Sequence, residues 1–337
     1  TDGIDLGVVL SAWGACPAPI EWTLVTQFNG TSTSALDASG ATVRTWTGAA
    51  AAASVGYLRP DGSLVRPCVY PPGTLNGAAS VHVRTVALNG AARGGRIQVI
   101  APDGTLQHDL ILATATSQQH HDVRPLPNGN ILCVAWDTRT IAEQQAAGRS
   151  SATAVLWSEQ LVELHPTGPS TYTVAWQWKV WDHLVQDAVP GISTYGVVAD
   201  HPELIDLNYS PVASAIDWIH MNAVDYSPER DEIVVSSRSW NEVWVIDHST
   251  TTAQAASHAG GARGRGGDLL YRWGNPQAMR RGTAADRFFS VVHSATFIPA
   301  GMPGAGNLMA FNNGDRIGTG YDWSQVVELV PPRDASG

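Results

Sequence analysis

The sequence predicts an all-β protein and, within that class, a β-propeller. Two kinds of hairpin alternate in a fixed order, and turn pairs such as Asn128-Gly129 and Asp103-Gly104 between apolar runs are strong hairpin signals. Two hairpins make a four-stranded sheet, and a repeated four-stranded antiparallel sheet is typical of a β-propeller. A β-sandwich uses the same turn chemistry, but the fixed alternation of hairpins favours the propeller.

The first kind of hairpin has an upstream polar residue, an apolar strand, a Pro- or Gly-containing turn and a second apolar strand. Its four copies turn around Pro60, Pro127, Pro228 and Pro299. The second kind joins an apolar strand to a strand rich in Trp or polar residues. Its copies are SALDASGATVRTW, RIQVIAPDGTLQHDL, LVELHPTGPSTYTVAWQW, VWVIDHSTTT with the later LLYRWG, and the terminal VVELVPP.

Composition agrees with a turn-rich β protein. The 337 residues are 44% apolar and include 33 Gly, 20 Pro and 13 Trp. We expect most of the Trp side chains to pack between stacked sheets. We divide the chain into an N-terminal Pro- and Cys-containing segment, 1–22, and a propeller, 23–337. Insertions interrupt the propeller at about 178–217, where WKVWDHLVQD predicts a short helix, and at about 249–267.

The repeat does not close within the sequence. Another unit begins at Val326–Val330, after the fourth hairpin of the first kind, and the sequence then ends in PPRDASG. A propeller closes when its last blade meets its first. The fold therefore has few blades, or its closing strands are absent from this sequence, or a second polypeptide supplies them.

The charge balance argues against nucleic acid as a partner. The chain has 20 Lys and Arg against 30 Asp and Glu, a formal charge of −10, and no basic stripe. No apolar run approaches 18 residues, so no membrane-spanning helix is predicted. Cys16 and Cys68 lie in Pro-rich loops and are candidates for a disulfide, whereas Cys133 lies in an apolar strand and is predicted to be a buried thiol.

Three histidines stand near the heads of strand-like runs. His121, Asn222 and His293 each precede the proline of their hairpin turn by six residues, and His220 lies two residues before Asn222. Strand alternation places His220 and Asn222 on one face, while His120 faces away from His121. Equivalent inner strands line a propeller's central channel, so we expect His121, His220, Asn222 and His293 to meet at one mouth.

A cation adds to this predicted group. Arg238 ends a strand that is predicted to pair with the His220 strand, and its planar fork suits an oxyanion. Three histidines are also a familiar zinc set, but Arg238 argues against a dicationic centre, so no metal is expected. A second candidate for metal binding lies in the first insertion, where we favour a solvated loop. Its residues are Asp182, His183, Asp200 and His201.

Several long strings resemble the arylsulfate sulfotransferase family. They are QQHHDVRPLPNGNILCVAWD, ADHPELIDLNY, DWIHMNAVDYSPERDEIVVSSRSWNEVWVIDHSTTT, GGDLLYRWGNPQA and PGAGNLMAFNNG, and the resemblance extends from about Thr23 to Pro332. It implies a six-bladed β-propeller of four-stranded antiparallel blades, with the closing blade incomplete in this chain. It also implies a secreted, periplasmic or extracellular protein that moves sulfate from an aryl sulfate ester to a phenol without a cofactor.

The resemblance also implies roles for individual residues. His293 in VVHSA matches the family's nucleophile, which becomes transiently sulfated. His220 in the HxN motif and Arg238 in SSR match the sulfate-binding pair, and Asn222 supports the site. His121 in HHD matches a further substrate-contacting histidine.

One register stays open on the sequence, since His120 could take the place of His121 as the substrate-contacting histidine. Two functions other than sulfate transfer also stay open. The chain could be a non-catalytic extracellular propeller that acts as a binding or structural protein, or a metal-dependent hydrolase or lyase on the same scaffold. Turnover of a chromogenic aryl sulfate with a phenol distinguishes the first of these functions from a sulfotransferase, and chelator sensitivity distinguishes the second.

Overall fold

A computed structural model describes residues 22–70, 94–210, 216–314 and 323–333. Strand-forming segments dominate these ranges, because short runs of β-branched and apolar residues are separated by turns with Gly, Asp and Asn. The N-terminal segment, including Cys16, lies almost entirely outside the described residues. None of the helices in the described part of the chain is both long enough and apolar enough to cross a bilayer.

The described strands form five antiparallel sheets and one two-stranded parallel pair. The first sheet has three strands, β1 (Thr23–Thr26), β2 (Ser32–Leu36) and β3 (Thr42–Thr47). The second has β4 (Tyr57–Leu58), β5 (Leu64–Val69), β6 (Gly95–Ile100) and β7 (Leu106–Ile111). The third has β8 (Ser117–Pro125), β9 (Ile131–Arg139), β10 (Leu156–Pro166) and β11 (Tyr172–Lys179). The parallel pair consists of β12 (Leu184–Val185) and β13 (Ile205–Asp206).

The remaining two sheets contain the segments around His220 and His293. The fourth sheet has β14 (Met221–Ser227), β15 (Glu232–Ser237), β16 (Glu242–Asp247) and β17 (Tyr271–Trp273). The fifth has β18 (His293–Phe297), β19 (Leu308–Asn312) and β20 (Gln325–Leu329). The helices in the described ranges are short, namely α1 (Ile141–Ala146), α2 (Thr252–Ala255) and four 3-10 turns, Val180–Asp182, Val198–Asp200, Pro276–Met279 and Ala284–Asp286.

Each antiparallel sheet is a meander in which consecutive strands are neighbours. The fold is therefore all-β and of the β-propeller class, as the alternating hairpins predicted. The described residues form five blade-like sheets, so the predicted count of six blades is not confirmed. Each of the four predicted hairpins of the first kind forms a pair of neighbouring strands, namely β4 with β5, β8 with β9, β14 with β15, and β18 with β19.

The chain divides into two compact units. The first comprises residues 1–135, 163–175 and 300–304, and the second comprises 136–162, 176–299 and 305–337. A core cluster of the first unit consists of Ala35, Trp46, Leu64 and Ile100. A larger cluster in the second unit packs the fourth sheet against the fifth, through residues such as Val234, Phe289 and Leu308. Such burial of apolar side chains stabilises the sheets by about 25 cal/mol per Å² removed from water.

The tryptophans confirm the predicted packing role. Six of them are almost completely buried, namely Trp46, Trp157, Trp178, Trp218, Trp240 and Trp244. Trp323 is instead more than half exposed. The helix predicted around Trp178 is wrong, because Trp176 and Trp178 are both buried on alternate positions of β11, which is the strand period. Only a 3-10 turn over Val180–Asp182 follows.

The two described cysteines are buried thiols. Cys133 is completely buried in β9, as predicted, and burial raises its pKa. Cys68 is completely buried in β5, and burial raises its pKa to about 11. Its Sγ lies 3.5 Å from Oε1 of Gln98. Cys16 lies outside the described residues, so its pairing with Cys68 stays a prediction.

Candidate active site

His220 lies directly before β14, in the second unit. Its Nδ1 lies 2.6 Å from Oδ2 of Asp217, and the other carboxylate oxygen of Asp217 accepts a hydrogen bond of 3.1 Å from Nε1 of Trp136. An imidazole N–H held by a fixed carboxylate has a defined tautomer and orientation. Asp217 was not among the residues predicted from the sequence.

Asn222 lies at a β-bulge. Met221 pairs with Ser237 and Ala223 with Ser236, so Asn222 is the extra residue of β14. Its Oδ1 accepts a hydrogen bond of 2.5 Å from Oγ of Ser236, and its Nδ2 donates one of 2.9 Å to the carbonyl of Val292. The predicted alternation, which placed Asn222 and His220 on one face, does not apply because the bulge interrupts the pleat.

Arg238 follows β15 and pairs with the His220 segment, as predicted. Its backbone N–H donates to the carbonyl of His220 over 3.0 Å. The side chain is exposed and makes no hydrogen bond or ion pair with any residue that the structure describes. The backbone of Arg238 is therefore held in place by a hydrogen bond, while its guanidinium faces solvent.

His293 is the first residue of β18 and pairs with Phe311. Its Nδ1 lies 2.9 Å from the carbonyl oxygen of Val291 and 2.7 Å from Nδ2 of Asn313. The carbonyl of Val291 accepts from a ring with its hydrogen on Nδ1, whereas the amide N–H of Asn313 donates to a ring with its lone pair there, so each tautomer has a partner at Nδ1. The sequence did not single out Asn313, although it follows β19, the hairpin partner of β18.

The backbone beside His293 is strained and firmly held. Val291 has a φ of 57° and Ser294 a φ of 52°, and a positive φ is uncommon for a β-branched residue. Val291 is fixed through both polar backbone atoms. Its N–H donates to Oδ1 of Asn241 over 2.5 Å, and its carbonyl accepts from Nδ2 of Asn313 over 2.6 Å.

The same left-handed backbone recurs at the other two predicted histidines. His121 has a φ of 50° and His220 a φ of 56°. Each such conformation costs on the order of 1–3 kcal/mol, and they are concentrated at active sites and ligand clamps. Alternation of side chains, which is all that a sequence pattern offers, does not reveal these angles.

His121 belongs to the first unit and lies in the middle of β8. Its predicted place at the head of a strand is wrong, because β8 begins upstream, where the N–H of Gln119 donates to the carbonyl of Leu112 over 2.9 Å. His120 does not face away from it. The two Nδ1 atoms lie 2.7 Å apart, so one ring donates to the other. His120 is completely buried, whereas His121 is partly exposed.

A buried carboxyl group lies behind the His220 segment. Oε1 of Glu159 accepts a hydrogen bond of 2.9 Å from the N–H of Met221. Burial raises the pKa of Glu159 well above its usual range, and the nearby charge of Asp217 raises the pKa further. The carboxyl of Glu159 therefore keeps its proton to a higher pH than an exposed glutamate does, and the carboxylate next to His220 is that of Asp217.

The structure thus brings four of the six predicted site residues into one unit. His220, Asn222 and Arg238 lie on adjoining strand ends of the fourth sheet, and the bond from Asn222 to Val292 joins them to the strand of His293. In the first insertion we favoured a solvated loop over a metal site, but one of its residues, His183, is completely buried.

Together, the fold and these side chains define a β-propeller protein with histidines, a guanidinium and a carboxamide grouped at strand ends, a set suited to an anionic group. The chain belongs to the arylsulfotransferase (ASST) family, because the sequence model of that family matches residues 103–328, about two thirds of the sequence. Membership implies a sulfotransferase. A comparison with curated proteins finds no match.

Solved structures with a similar fold include three from different organisms. A Bacteroides caccae protein of unknown function is 10% identical, with a TM-score of 0.42, and 90% of this chain and 71% of that chain are covered. Hydrazine synthase of Kuenenia stuttgartiensis is 12% identical, with a TM-score of 0.46 and coverages of 91% and 68%. A hypothetical selenium-binding protein of Sulfolobus tokodaii is 12% identical, with a TM-score of 0.46 and coverages of 87% and 55%. At these TM-scores none of the three bears on the chemistry of the site.

Proposed function

We propose that this chain transfers sulfate from an aryl sulfate ester to a phenolic acceptor through a sulfohistidine intermediate on His293. The observation that carries the proposal is the contact of 2.9 Å between Nδ1 of His293 and the carbonyl of Val291. A hydrogen on Nδ1 leaves the lone pair on Nε2, which is the atom that attacks. Membership of the arylsulfotransferase family supports the same reading.

In the first step Nε2 of His293 attacks the sulfur of the aryl sulfate. The S–N bond forms, the S–O bond to the aryl group breaks, and the phenolate leaves with the electron pair. The departing phenolate then takes up a proton from water. The sulfated ring of His293 keeps its Nδ1–H, and the carbonyl of Val291 accepts from it and stabilises the positive charge of that ring.

Arg238 and His220 bind the sulfonyl oxygens in this proposal. The backbone of Arg238 is fixed by a hydrogen bond and its guanidinium is exposed, so the planar guanidinium can donate two hydrogen bonds to an oxyanion. The carboxylate of Asp217, 2.6 Å from Nδ1, orients the ring of His220. A polar contact from this ring to a sulfonyl oxygen offsets charge that develops in the transition state.

The second step reverses the first with a different phenol. The oxygen of the acceptor phenol attacks the sulfur, its proton passes to water, and the S–N bond to His293 breaks with the electron pair returning to Nε2. The first phenol leaves before the second phenol reacts with the sulfated enzyme, so we expect ping-pong kinetics. We also propose that the protein acts outside the cytoplasm, as a secreted, periplasmic or extracellular enzyme. Fractionation of the native host tests this location.

Trapping tests the intermediate directly. Incubation of the protein with 4-nitrophenyl sulfate and no acceptor should give a burst of nitrophenol and a sulfated peptide that contains His293, seen by mass spectrometry. His293→Ala should give neither. His201→Ala is the matched control, because His201 is a partly exposed histidine whose Nδ1 lies 2.9 Å from Oε1 of Glu203. Full turnover by His293→Ala would falsify the assignment.

A further inference from the structure

A second cluster of histidines lies in the second unit, away from the strand ends described above. His183 follows the 3-10 turn over Val180–Asp182, His258 lies in the loop after α2, and Asp268 precedes β17. Oδ1 of Asp268 lies 2.9 Å from Nδ1 of His183 and 2.7 Å from Nδ1 of His258. One potential ligand atom from each residue lies within 4.8 Å of the others.

The hydrogen-bond partners of His183 indicate that a cation belongs between its Nδ1 and the carboxylate of Asp268. Nε2 of His183 lies 2.8 Å from the carbonyl oxygen of Ala255, which only accepts, so Nε2 carries a hydrogen. In the neutral ring Nδ1 therefore has a lone pair, and this lone pair faces a carboxylate oxygen of Asp268. The side chain of His183 is completely buried. Two acceptors at this distance repel each other unless a cation, either a proton or a metal ion, lies between them.

The surroundings of His183 fix its ring in that orientation. The ring stacks on Trp178, with centroids 5.5 Å apart and an interplanar angle of 8°. A Cβ added at Gly267 would lie 2.6 Å from Nε2 of His183, so only glycine lets the loop pass at this distance. A histidine that donates its second N–H to a backbone carbonyl is the usual arrangement around a metal-binding imidazole.

We propose that His183, His258 and Asp268 bind one divalent transition-metal ion, for which zinc is the best probe. Two Nδ1 atoms and one carboxylate oxygen are ligands that zinc accepts, and His258, whose side chain is 61% exposed, leaves a side open for a water ligand. Ligand atoms of tetrahedral zinc lie about 3.3 Å apart, given bonds of about 2.0–2.1 Å. Binding therefore moves the exposed ring of His258 outward by roughly half an ångström.

This ion has a structural role and does not depend on sulfate transfer. It ties the 249–267 loop, through His258, to the 3-10 turn that precedes His183 and to the start of β17. An ion held only by the folded chain raises its stability by mass action. Bound zinc should therefore raise the melting temperature, and chelation should lower it.

Zinc binding to the metal-stripped full chain tests the proposal. Titration calorimetry with zinc chloride should show one saturable site per chain, together with a rise in melting temperature. His258→Ala and Asp268→Asn should weaken binding by about tenfold or more, the loss that changes around a metal ligand already cause. His258 is exposed, so His258→Ala keeps the fold, and His165→Ala, a change at another exposed histidine, is the control that should bind zinc like the original chain.

Two results would overturn the metal site. One is the absence of saturable zinc uptake, or an affinity that His258→Ala leaves unchanged. The other is a nitrogen NMR spectrum, recorded with one equivalent of zinc, in which both ring nitrogens of His183 carry hydrogen. The cation between His183 and Asp268 would then be a proton.

Discussion

Asn222 donates a hydrogen bond of 2.9 Å from Nδ2 to the carbonyl oxygen of Val292, the residue directly before His293. This bond connects a bulge in the fourth sheet to the strand that carries the proposed nucleophile. The other end of the amide accepts from Ser236, so the orientation of Asn222 is fixed from both sides. The HxN spacing thus has a physical purpose, because the second residue of the motif positions a segment far away in sequence.

Replacement of Asn222 by Ala should lower both stability and turnover. The variant leaves the carbonyl of Val292 and the hydroxyl of Ser236 without their partner, at a cost of about 1–3 kcal/mol for each buried group. Urea unfolding and kcat for an aryl sulfate measure the two effects. Ser236→Ala is the control, since it keeps the bond to Val292 and should retain most of kcat. Unchanged kcat in a folded Asn222→Ala would show that the bond does not position His293.

The hairpins of the first kind could be predicted from the sequence because they depend on local patterns of apolar and turn residues. Apolar runs and turn pairs fix β14 with β15 and β18 with β19, and the spacing to the turn proline located His220 and His293 near the strand starts. The β-bulge at Asn222 was not predictable, because it depends on pairing between strands. Strand alternation therefore does not determine the face on which the side chain of Asn222 lies.

Residues that orient the site were also missed, for a related reason. Asp217 lies before β14 and in no strand, and its contact with His220 depends on the turn that the chain makes there. Asn313 contacts His293 across the β18–β19 pair, a relation that a linear pattern does not display. The left-handed backbone at His121 made its ring contact that of His120, whereas a regular strand would separate them.

Asp217→Asn should reduce kcat/KM by about tenfold to a hundredfold. A hydrogen bond to a charged partner contributes about 1.5–3 kcal/mol, and the neutral amide no longer offers Nδ1 of His220 a charged acceptor. The profile of kcat/KM against pH should change shape as well, which a purely structural role would not produce. Asp37→Asn is the control, because Asp37 caps an exposed turn where Asn serves equally well. A value within twofold of the original chain would contradict the role of Asp217.

Arg238→Ala should abolish most activity and leave stability nearly unchanged. The side chain is exposed, so the free energy of unfolding should shift by less than about 0.5 kcal/mol. Arg238→Lys should recover only part of kcat/KM, because an ammonium cannot contact two sulfonyl oxygens in a planar fork. Arg265→Ala, a change at another exposed arginine, is the control and should keep full activity. Equal kcat/KM for Arg238→Ala and Arg265→Ala would exclude Arg238 from sulfate binding.

Neither described thiol should react in the folded protein. Burial raises the pKa of Cys68 to about 11 and also raises that of Cys133, so almost no thiolate exists at pH 8. Iodoacetamide should label neither residue until the chain is unfolded. Labelling in denaturant without reductant then decides the predicted disulfide, because a bond between Cys16 and Cys68 leaves Cys133 as the single labelled site. Rapid labelling of Cys133 in the folded chain would contradict its buried position.

Glu159→Gln should make the protein more stable relative to the original chain as the pH rises. The pKa of Glu159 is raised above its ordinary value of 4.5, first by burial and then by the charge of Asp217. Below pH 4.5 the carboxyl is protonated in both the folded and unfolded states and favours neither. Above pH 4.5 the unfolded chain loses this proton while the folded chain retains it. The free energy of unfolding contributed by Glu159 therefore falls until the pH reaches the folded pKa.

The amide that Glu159→Gln introduces has no proton to lose, and its oxygen can still accept from the N–H of Met221. The difference in free energy of unfolding between Glu159→Gln and the original chain should thus grow in favour of the variant as the pH rises above 4.5. Glu143→Gln should behave in the opposite sense, because hydrogen bonds from Thr140 lower the pKa of Glu143. Its carboxylate stabilises the folded chain above pH 4.5, and this advantage disappears as the pH falls. Urea unfolding at several pH values measures both differences, and a Glu159→Gln difference that follows the same direction as Glu143→Gln would mean that Glu159 is ionised beneath His220.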